Sequence, residues 1–192
     1  MRNRSANKYL SLLLAVWLLA SSAVPAAWAA PEYTVSISSA EDLLALSKNC
    51  ALDTWSQGKT VALTADLDLT GTEFSPIPTF GGTFLGQGHT ISGLRLTAAG
   101  SNQGFFRYLQ PGAVVQNLHI SGAVIPEGTR STVGGIAGTN AGTIQNCSFQ
   151  GTVQGKNAVG GIAGRNGEQG QIINCTTRGH ISGENAAGGT AG

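Results

Sequence analysis

The residue types that carry chemistry are few in this sequence, and their spacing does not assemble a catalytic or metal site. The three histidines, His89, His119 and His180, do not fall at metal-ligand spacing, and no His-Glu-x-x-His pattern occurs, which excludes a zinc peptidase from this stretch. Asp66 and Asp68 alternate with apolar residues, which favours the polar face of a strand over an acid–base pair. The sequence therefore predicts no catalytic residue, no metal and no cofactor.

The three cysteines, Cys50, Cys147 and Cys175, fit neither a disulfide framework nor a zinc motif. Cys147 and Cys175 fall at equivalent positions of two repeats, so stacking would place their Cα atoms within the roughly 4.4–6.8 Å that a disulfide spans. Leu118 precedes them at the same position. Filling of a core by small apolar side chains therefore explains both cysteines, and a disulfide between them is the less favoured alternative.

An internal repeat is the strongest signal in the chain. Residues 133–138 (VGGIAG) recur at 159–164, and a third copy begins at 187–192. Each copy contains three short apolar runs separated by Gly or Asn, without the 3.6-residue period of a helix. Three strands and three turns make one coil of a β-solenoid. The sequence therefore predicts an all-β fold, a right-handed parallel β-helix with three short strands per coil.

Weaker copies upstream suggest how the coils align. Three apolar columns are expected along the solenoid: Ile91, Val115, Ile144 and Ile172; Leu94, Leu118, Cys147 and Cys175; Val124, Val153 and Ile181. Asparagines form a column at a turn, where we expect them to stack and to adopt left-handed backbone rather than to bind a ligand. The residues given a structural role are Gly134, Gly135, Gly160, Gly161, Asn117, Asn146, Asn174, Cys147 and Cys175.

The region before the repeats divides into a leader and a cap. Residues 1–29 combine a basic start, an apolar run and the sequence Ala27-Trp28-Ala29, which predicts a cleaved signal peptide and export. Residues 30–60 are predicted to form an N-terminal cap, with a short strand and a helix from Ala40 to about Ser47 that Ser39 caps, with Asp42 at the capping-box position. Residues 61–192 form the β-helix, and residues 61–69 are expected to be one alternating strand.

The repeat resembles the GLUG motif of exported bacterial surface proteins. The resemblance rests on Gly-Gly-Ile-Ala-Gly, a following Asn and Gly-Thr-Ile-Gln-Asn-Cys, and it extends upstream through residues 63–71, 74–96 and 104–122. Two positions depart from the pattern: Leu85 stands where aspartate is common, and Arg107 stands where glycine is usual. Residues 131–192 are thus predicted to be GLUG-like repeats, the last one incomplete, with an uncapped C-terminal edge that could pair with other chains.

The resemblance implies a function only in outline. GLUG-type repeats occur in adhesin-like proteins and beside the catalytic domain of immunoglobulin A-cleaving metallopeptidases, and no catalytic residue belongs to the repeat. Once Arg2, Arg4 and Lys8 leave with a signal peptide, eight of the 11 basic residues remain against 10 acidic ones, and their scatter excludes a nucleic-acid surface. No second apolar segment long enough to span a membrane follows.

We therefore predict a secreted or cell-surface module, structural or adhesive and not an enzyme, with an extracellular glycan or protein as ligand. Two alternatives stay open. The chain could belong to a carbohydrate-active β-helix enzyme, or it could be the accessory repeat region of a larger secreted metallopeptidase.

Overall fold

A computed structural model describes residues 33–192, so the predicted signal peptide lies outside the described residues. One helix and eighteen short strands make up this part of the chain, and the pairings between the strands are parallel. The strands stack into a β-solenoid, which confirms the predicted fold class. Within residues 33–192 no helix is long and apolar enough to cross a membrane.

Two sheets run nearly the whole length of the solenoid. Sheet A has six rungs, in this order: β1 (Val35–Ile37), β2 (Thr60–Leu63), β5 (Thr83–Leu85), β8 (Val114–Gln116), β12 (Thr143–Gln145) and β16 (Gln171–Ile173). Sheet B has five: β3 (Leu67–Asp68), β6 (Thr90–Leu96), β9 (His119–Val124), β13 (Ser148–Gln154) and β17 (Thr176–Ser182).

The other two sheets complete the coils. Sheet C consists of β4 (Ile77–Phe80), β7 (Phe106–Leu109), β11 (Ala137–Asn140) and β15 (Ala163–Asn166). Sheet D consists of β10 (Thr132–Gly134), β14 (Ala158–Gly160) and β18 (Ala186–Gly188). Three strands per coil, as predicted, describe the coils that begin at β4 and β7. The two coils that begin at β10 and β14 have a fourth strand, because a short segment that ends at the first glycine of each Gly-Gly pair also pairs with the neighbouring coil.

The core lies between the sheets and is filled by inward-facing side chains. In the first coils four phenylalanines, Phe80, Phe84, Phe105 and Phe106, are fully buried, with ring centroids 5.0–6.3 Å apart in five pairs. Farther along, β-branched and small residues fill most of the core, with Phe149 as a buried ring on the first GLUG-like coil. The third predicted column is correct, since Val153 lies between Val124 and Ile181.

The upstream part of the other two predicted columns is wrong. Phe84, not Ile91, lies beside Val115 in sheet A, while Ile91 pairs with Ile120 in sheet B. Leu94 pairs with Gly122 rather than lying beside Leu118. The turn from β5 to β6 is two residues longer than the turn from β8 to β9, so one fixed offset cannot align both sides of that turn.

The predicted strand over residues 61–69 is also wrong. The chain forms β2, turns a corner at residues 64–66, and then enters sheet B as β3. The alternation persists through the corner, since Leu67 and Leu69 point into the core while Asp66 and Asp68 stay exposed. Alternation in the sequence indicates which side chains face inward. A solenoid corner keeps the same inward–outward pattern even though the strand ends there.

Helix α1 (Ala40–Asn49) lies at the N-terminal end of the solenoid. It begins at Ser39, whose side chain accepts a hydrogen bond from the Asp42 N–H, while the Asp42 carboxylate accepts from the Ser39 N–H. This is the predicted capping box. The helix buries Leu43 and Leu46 against the first coils, so it closes one end of the core.

Candidate functional site

The asparagine column serves the backbone of the turn. Asn117, Asn146 and Asn174 have φ values of +54°, +52° and +50°, a left-handed conformation that asparagine tolerates better than most residues. Each lies between a strand of sheet A and a strand of sheet B, and the three side chains are exposed. Their common feature is therefore the corner they form, and they do not build a buried ladder.

A buried asparagine contact exists elsewhere, at the asparagine that follows the first Gly-Gly-Ile-Ala-Gly run, to which the sequence analysis gave no structural role. Asn140 is fully buried, and its amide nitrogen donates to Asn166 Oδ1 at 2.8 Å and to the Gln171 carbonyl at 3.2 Å. Its side-chain oxygen accepts from the Gly142 N–H at 3.1 Å. Asn140 and Asn166 each lie two residues after a VGGIAG copy, and this equivalent position is the sequence signal that could have found their role.

The paired glycines lie where backbone segments approach closely. A Cβ on Gly135 would overlap the Phe149 ring and the Gly161 carbonyl, and a Cβ on Gly161 would overlap the Thr177 side chain and the Gly189 carbonyl. Gly134 and Gly160 are crowded in the same way by backbone of the neighbouring strand. These four residues thus have packing roles.

Cys147 and Cys175 lie at the same position of adjacent coils, and both are free thiols, as is the buried Cys50. Each thiol donates to a backbone carbonyl, Cys147 to that of Gln145 and Cys175 to that of Ile173. The interaction between the neighbouring thiols raises the pKa of Cys147, burial raises it further, and the same interaction lowers the pKa of Cys175. Burial raises the pKa of Cys50 to about 11. The stacked pair fills the core at the corner beside the asparagine column.

The two aspartates of the predicted polar strand support the backbone. Asp66 Oδ1 accepts from the Thr90 N–H at 2.8 Å and lies 3.1 Å from His89 Nδ1, and these hydrogen bonds lower the pKa of Asp66. Asp68 accepts from the Thr70 N–H at 2.9 Å, and hydrogen bonds to Thr70 lower its pKa too. Asp66 thus ties two neighbouring coils together, and Asp68 closes a local turn.

His119 and Ser148 form a close polar pair on the outer face of sheet B. His119 Nδ1 lies 2.7 Å from Ser148 Oγ, beside a cavity of about 230 Å³. Ser148 pairs with His119 in the register of sheet B, and the described lining of the cavity also includes Arg178. No group of three His, Cys, Asp or Glu suited to a metal lies within residues 33–192.

A further cavity lies on the coils that precede the repeats. This groove, as we call it, has a volume of about 600 Å³ and lies between the loop of residues 69–76, the end of β6 and the start of β7. Its walls include the buried side chains of Leu69, Phe74 and Leu96, and its polar lining includes Glu73, Arg95 and Arg107. An apolar surface with a few charged groups is the usual construction of a ligand site.

The loop that forms one wall of the groove is held at several points. Ser47 Oγ on helix α1 donates to the Ser75 carbonyl at 3.0 Å, and the Leu69 N–H donates to the Ser92 carbonyl at 2.9 Å. The Phe74 ring stacks on Phe105 at 5.3 Å. The groove is therefore preformed rather than dependent on a ligand for its shape.

Comparison with known families identifies the coils after the groove. Residues 129–154 and 155–182 match the family described as the GLUG motif. This chain carries two GLUG repeats. The first repeat spans strands β10 to β13 and the second spans β14 to β17, so one GLUG repeat is one four-stranded coil. The resemblance predicted from the sequence is confirmed.

Two known proteins extend the comparison beyond the GLUG repeats. Halomucin from Haloquadratum walsbyi is 34% identical over an alignment of 151 residues, and the match covers 70% of this chain and 2% of that protein. A solved structure of a proposed immunoglobulin A1 protease from Bacteroides ovatus has a TM-score of 0.52 and 22% identity, over 77% of this chain and 57% of that one. The second likeness concerns the fold alone.

Proposed function

We propose that this chain is a non-catalytic module of a secreted or cell-surface protein, structural or adhesive in role, which binds an extracellular glycan or protein over a broad face of the solenoid. The GLUG repeats and the similarity to Halomucin support a surface or secreted repeat protein. The chain spans 2% of that relative, so any activity of a longer protein that contains this chain is also a proposal.

The observation that carries the proposal is the outer face of sheet B. Parallel pairing in register stacks hydroxyl, amide and imidazole groups into continuous columns that cross several coils. The columns are Thr90, His119, Ser148 and Thr176; Ser121, Gln150 and Arg178; Arg95, Ala123, Thr152 and His180. A face rich in hydrogen-bonding groups suits sugars or a polar protein surface, and it gains affinity from many weak contacts.

A binding screen with a turnover assay tests the proposal. The purified full chain is tested on an array of glycans and extracellular proteins, and each ligand that binds is then assayed for hydrolysis. We expect binding without turnover, and the double variant Gln150→Ala/Thr152→Ala should weaken it several-fold. The matched control is Thr143→Ala/Gln145→Ala on sheet A, which should leave binding unchanged.

Three results would contradict the proposal: no ligand on either array, equal loss in both double variants, or turnover of a bound ligand by the chain. Turnover of a glycan would favour the carbohydrate-active alternative, and turnover of a protein would favour the peptidase alternative.

A further inference from the structure

The two arginines of the groove lie at positions where later coils carry no arginine. In the register of sheet B, Arg95 is followed on later coils by Ala123, Thr152 and His180, a column with no repeated residue type. In sheet C, Arg107 is followed by Gly138 and Gly164, so it departs from a glycine column. Arginines on two different sheets thus line a single cavity, which coil-to-coil packing does not require.

The fourth strand of the GLUG coils explains why they have no space for an arginine at the position of Arg107. A Cβ on Gly138 would lie 2.6 Å from the Asn102 carbonyl carbon, and one on Gly164 would meet the backbone of Thr132 and Val133. Those crowding segments belong to sheet D or to the Gln103–Val133 bridge at its start. Among the described residues, sheet D does not continue to the groove, so the side chain of Arg107 has room there.

Within the described chain, Arg95 and Arg107 form no ion pair with a carboxylate. The three ion pairs found among residues 33–192 are those of His89, Arg130 and Lys156. Glu73 is the one acidic residue among the described lining residues, and it lies beyond ion-pair distance of both guanidinium groups. The lining therefore presents two guanidinium groups against one carboxylate, beside a floor of buried apolar side chains.

We infer that the groove binds an acidic glycan, and that Arg95 and Arg107 receive the carboxylates of its uronate residues. The inference rests on the proposed function and specifies the ligand for one end of the sheet B face, since Arg95 continues a column of that face. Arginine suits this role because its planar group donates two parallel hydrogen bonds to a carboxylate. The apolar floor suits the carbon-rich face of a sugar ring, and Glu73 opposes the ligand's charge.

Three oligosaccharides of equal length test the inference by calorimetry on the full chain. They are an oligogalacturonate, its methyl ester, which has the same backbone without charge, and a sulfated galactan. We expect the oligogalacturonate to bind at least tenfold more tightly than its ester, since two bidentate charge-assisted contacts, one from each arginine, are at stake. The sulfated galactan should rank between them, because sulfate carries charge without the planar match to arginine.

Variants place the effect in the groove. Arg95→Gln and Arg107→Gln should each weaken oligogalacturonate binding about tenfold, while Glu73→Gln should strengthen it. Arg165→Gln is the matched control, because Arg165 is an exposed arginine on a GLUG coil outside the groove and also lacks an ion pair within residues 33–192. Thermal melting of every variant checks that the fold is retained.

Several outcomes would overturn the inference. Equal binding of the acid and its ester would do so, as would equal losses in Arg95→Gln and Arg165→Gln, or tightest binding of the sulfated galactan. A neutral glycan or a protein that binds while all three oligosaccharides fail would overturn the inference and leave the proposed function standing. Failure of every ligand would overturn both.

Discussion

At the scale of the residue, glycines at one position of the GLUG repeats differ from coil to coil in the space around them. Gly161 lies beneath the Thr177 side chain and against the Gly189 carbonyl, whereas a Cβ on Gly189 would meet nothing within 4 Å. The two glycines are equivalent in sequence. What differs is whether a further rung is packed against them.

The first prediction follows from that difference. Gly161→Ala should destabilise the chain by about 1–3 kcal/mol, the usual cost of inserting atoms into a packed core, because backbone must move to admit the methyl group. Gly189→Ala should change the free energy of unfolding by less than about 0.5 kcal/mol. Urea unfolding followed by circular dichroism measures both. Equal losses would show that the crowding at Gly161 is relieved without cost.

Residue types show which parts of the site could be anticipated. The corner asparagines, the paired glycines and the stacked cysteines all recur at the repeat period, so a single sequence exposes them. Arg107 was visible as a departure from the repeat pattern. Arg95 was not, because the aligned offset upstream of Val115 was wrong and its true neighbour, Ala123, could not be recognised without the register.

At the scale of the element, helix α1 depends on its N-terminal cap. The Asp42 carboxylate accepts from the N–H groups of Ser38 and Ser39 and from the Ser38 hydroxyl, and these hydrogen bonds lower the pKa of Asp42. A lowered pKa in the folded state means that the ionised carboxylate favours folding. This contribution is present above the unfolded pKa and is lost as the pH falls through the folded pKa.

The second prediction uses this sign. Asp42→Asn should lower the melting temperature near neutral pH, and the difference from the unaltered chain should shrink as the pH falls below about 4, the ordinary pKa of aspartate. Glu41→Gln removes a neighbouring first-turn carboxylate that is outside the capping box, so it should have a smaller and less pH-dependent effect. A constant difference across the pH range would argue against the role of the charge.

Elements were predictable where a local signal existed. The capping box identified helix α1, and the Gly and Asn corners separated strands in the repeats. The break between β2 and β3 could not be read, because inward and outward side chains alternate through the corner as they would along one strand. The fourth strand was not predicted because it is short. It spans only Thr132–Gly134, contains a glycine, and pairs only with the equivalent strands of other coils.

At the scale of the whole molecule, burial declines along the solenoid. Phe149 and Val153 are fully buried, whereas Thr177 and Ile181, their partners on the next coil, are half-buried. Because each coil contacts mainly its neighbours, local stability in a solenoid depends on how many neighbours a coil has. The coils around Phe80, Phe84 and Phe106 have packed coils on both sides.

Hydrogen exchange should reveal this gradient. Amides of β6 and β9 are expected to exchange at rates governed by global unfolding, and amides of β16 and β17 should exchange faster through local opening. Mass spectrometry of peptides from the full chain, after timed exposure to deuterated buffer, measures the order. Uniform protection from β6 to β17 would mean that the solenoid opens as one cooperative unit.

The fourth strand also limits how many ligands one chain can hold. Lengthening the solenoid with GLUG coils would add about 4.8 Å of reach per coil but no second groove of this kind, since their glycines exclude a cation where Arg107 stands. With respect to the groove, such a chain is monovalent whatever its length. Avidity would then have to come from many chains displayed side by side, and coil number would set only the distance at which each groove meets its ligand.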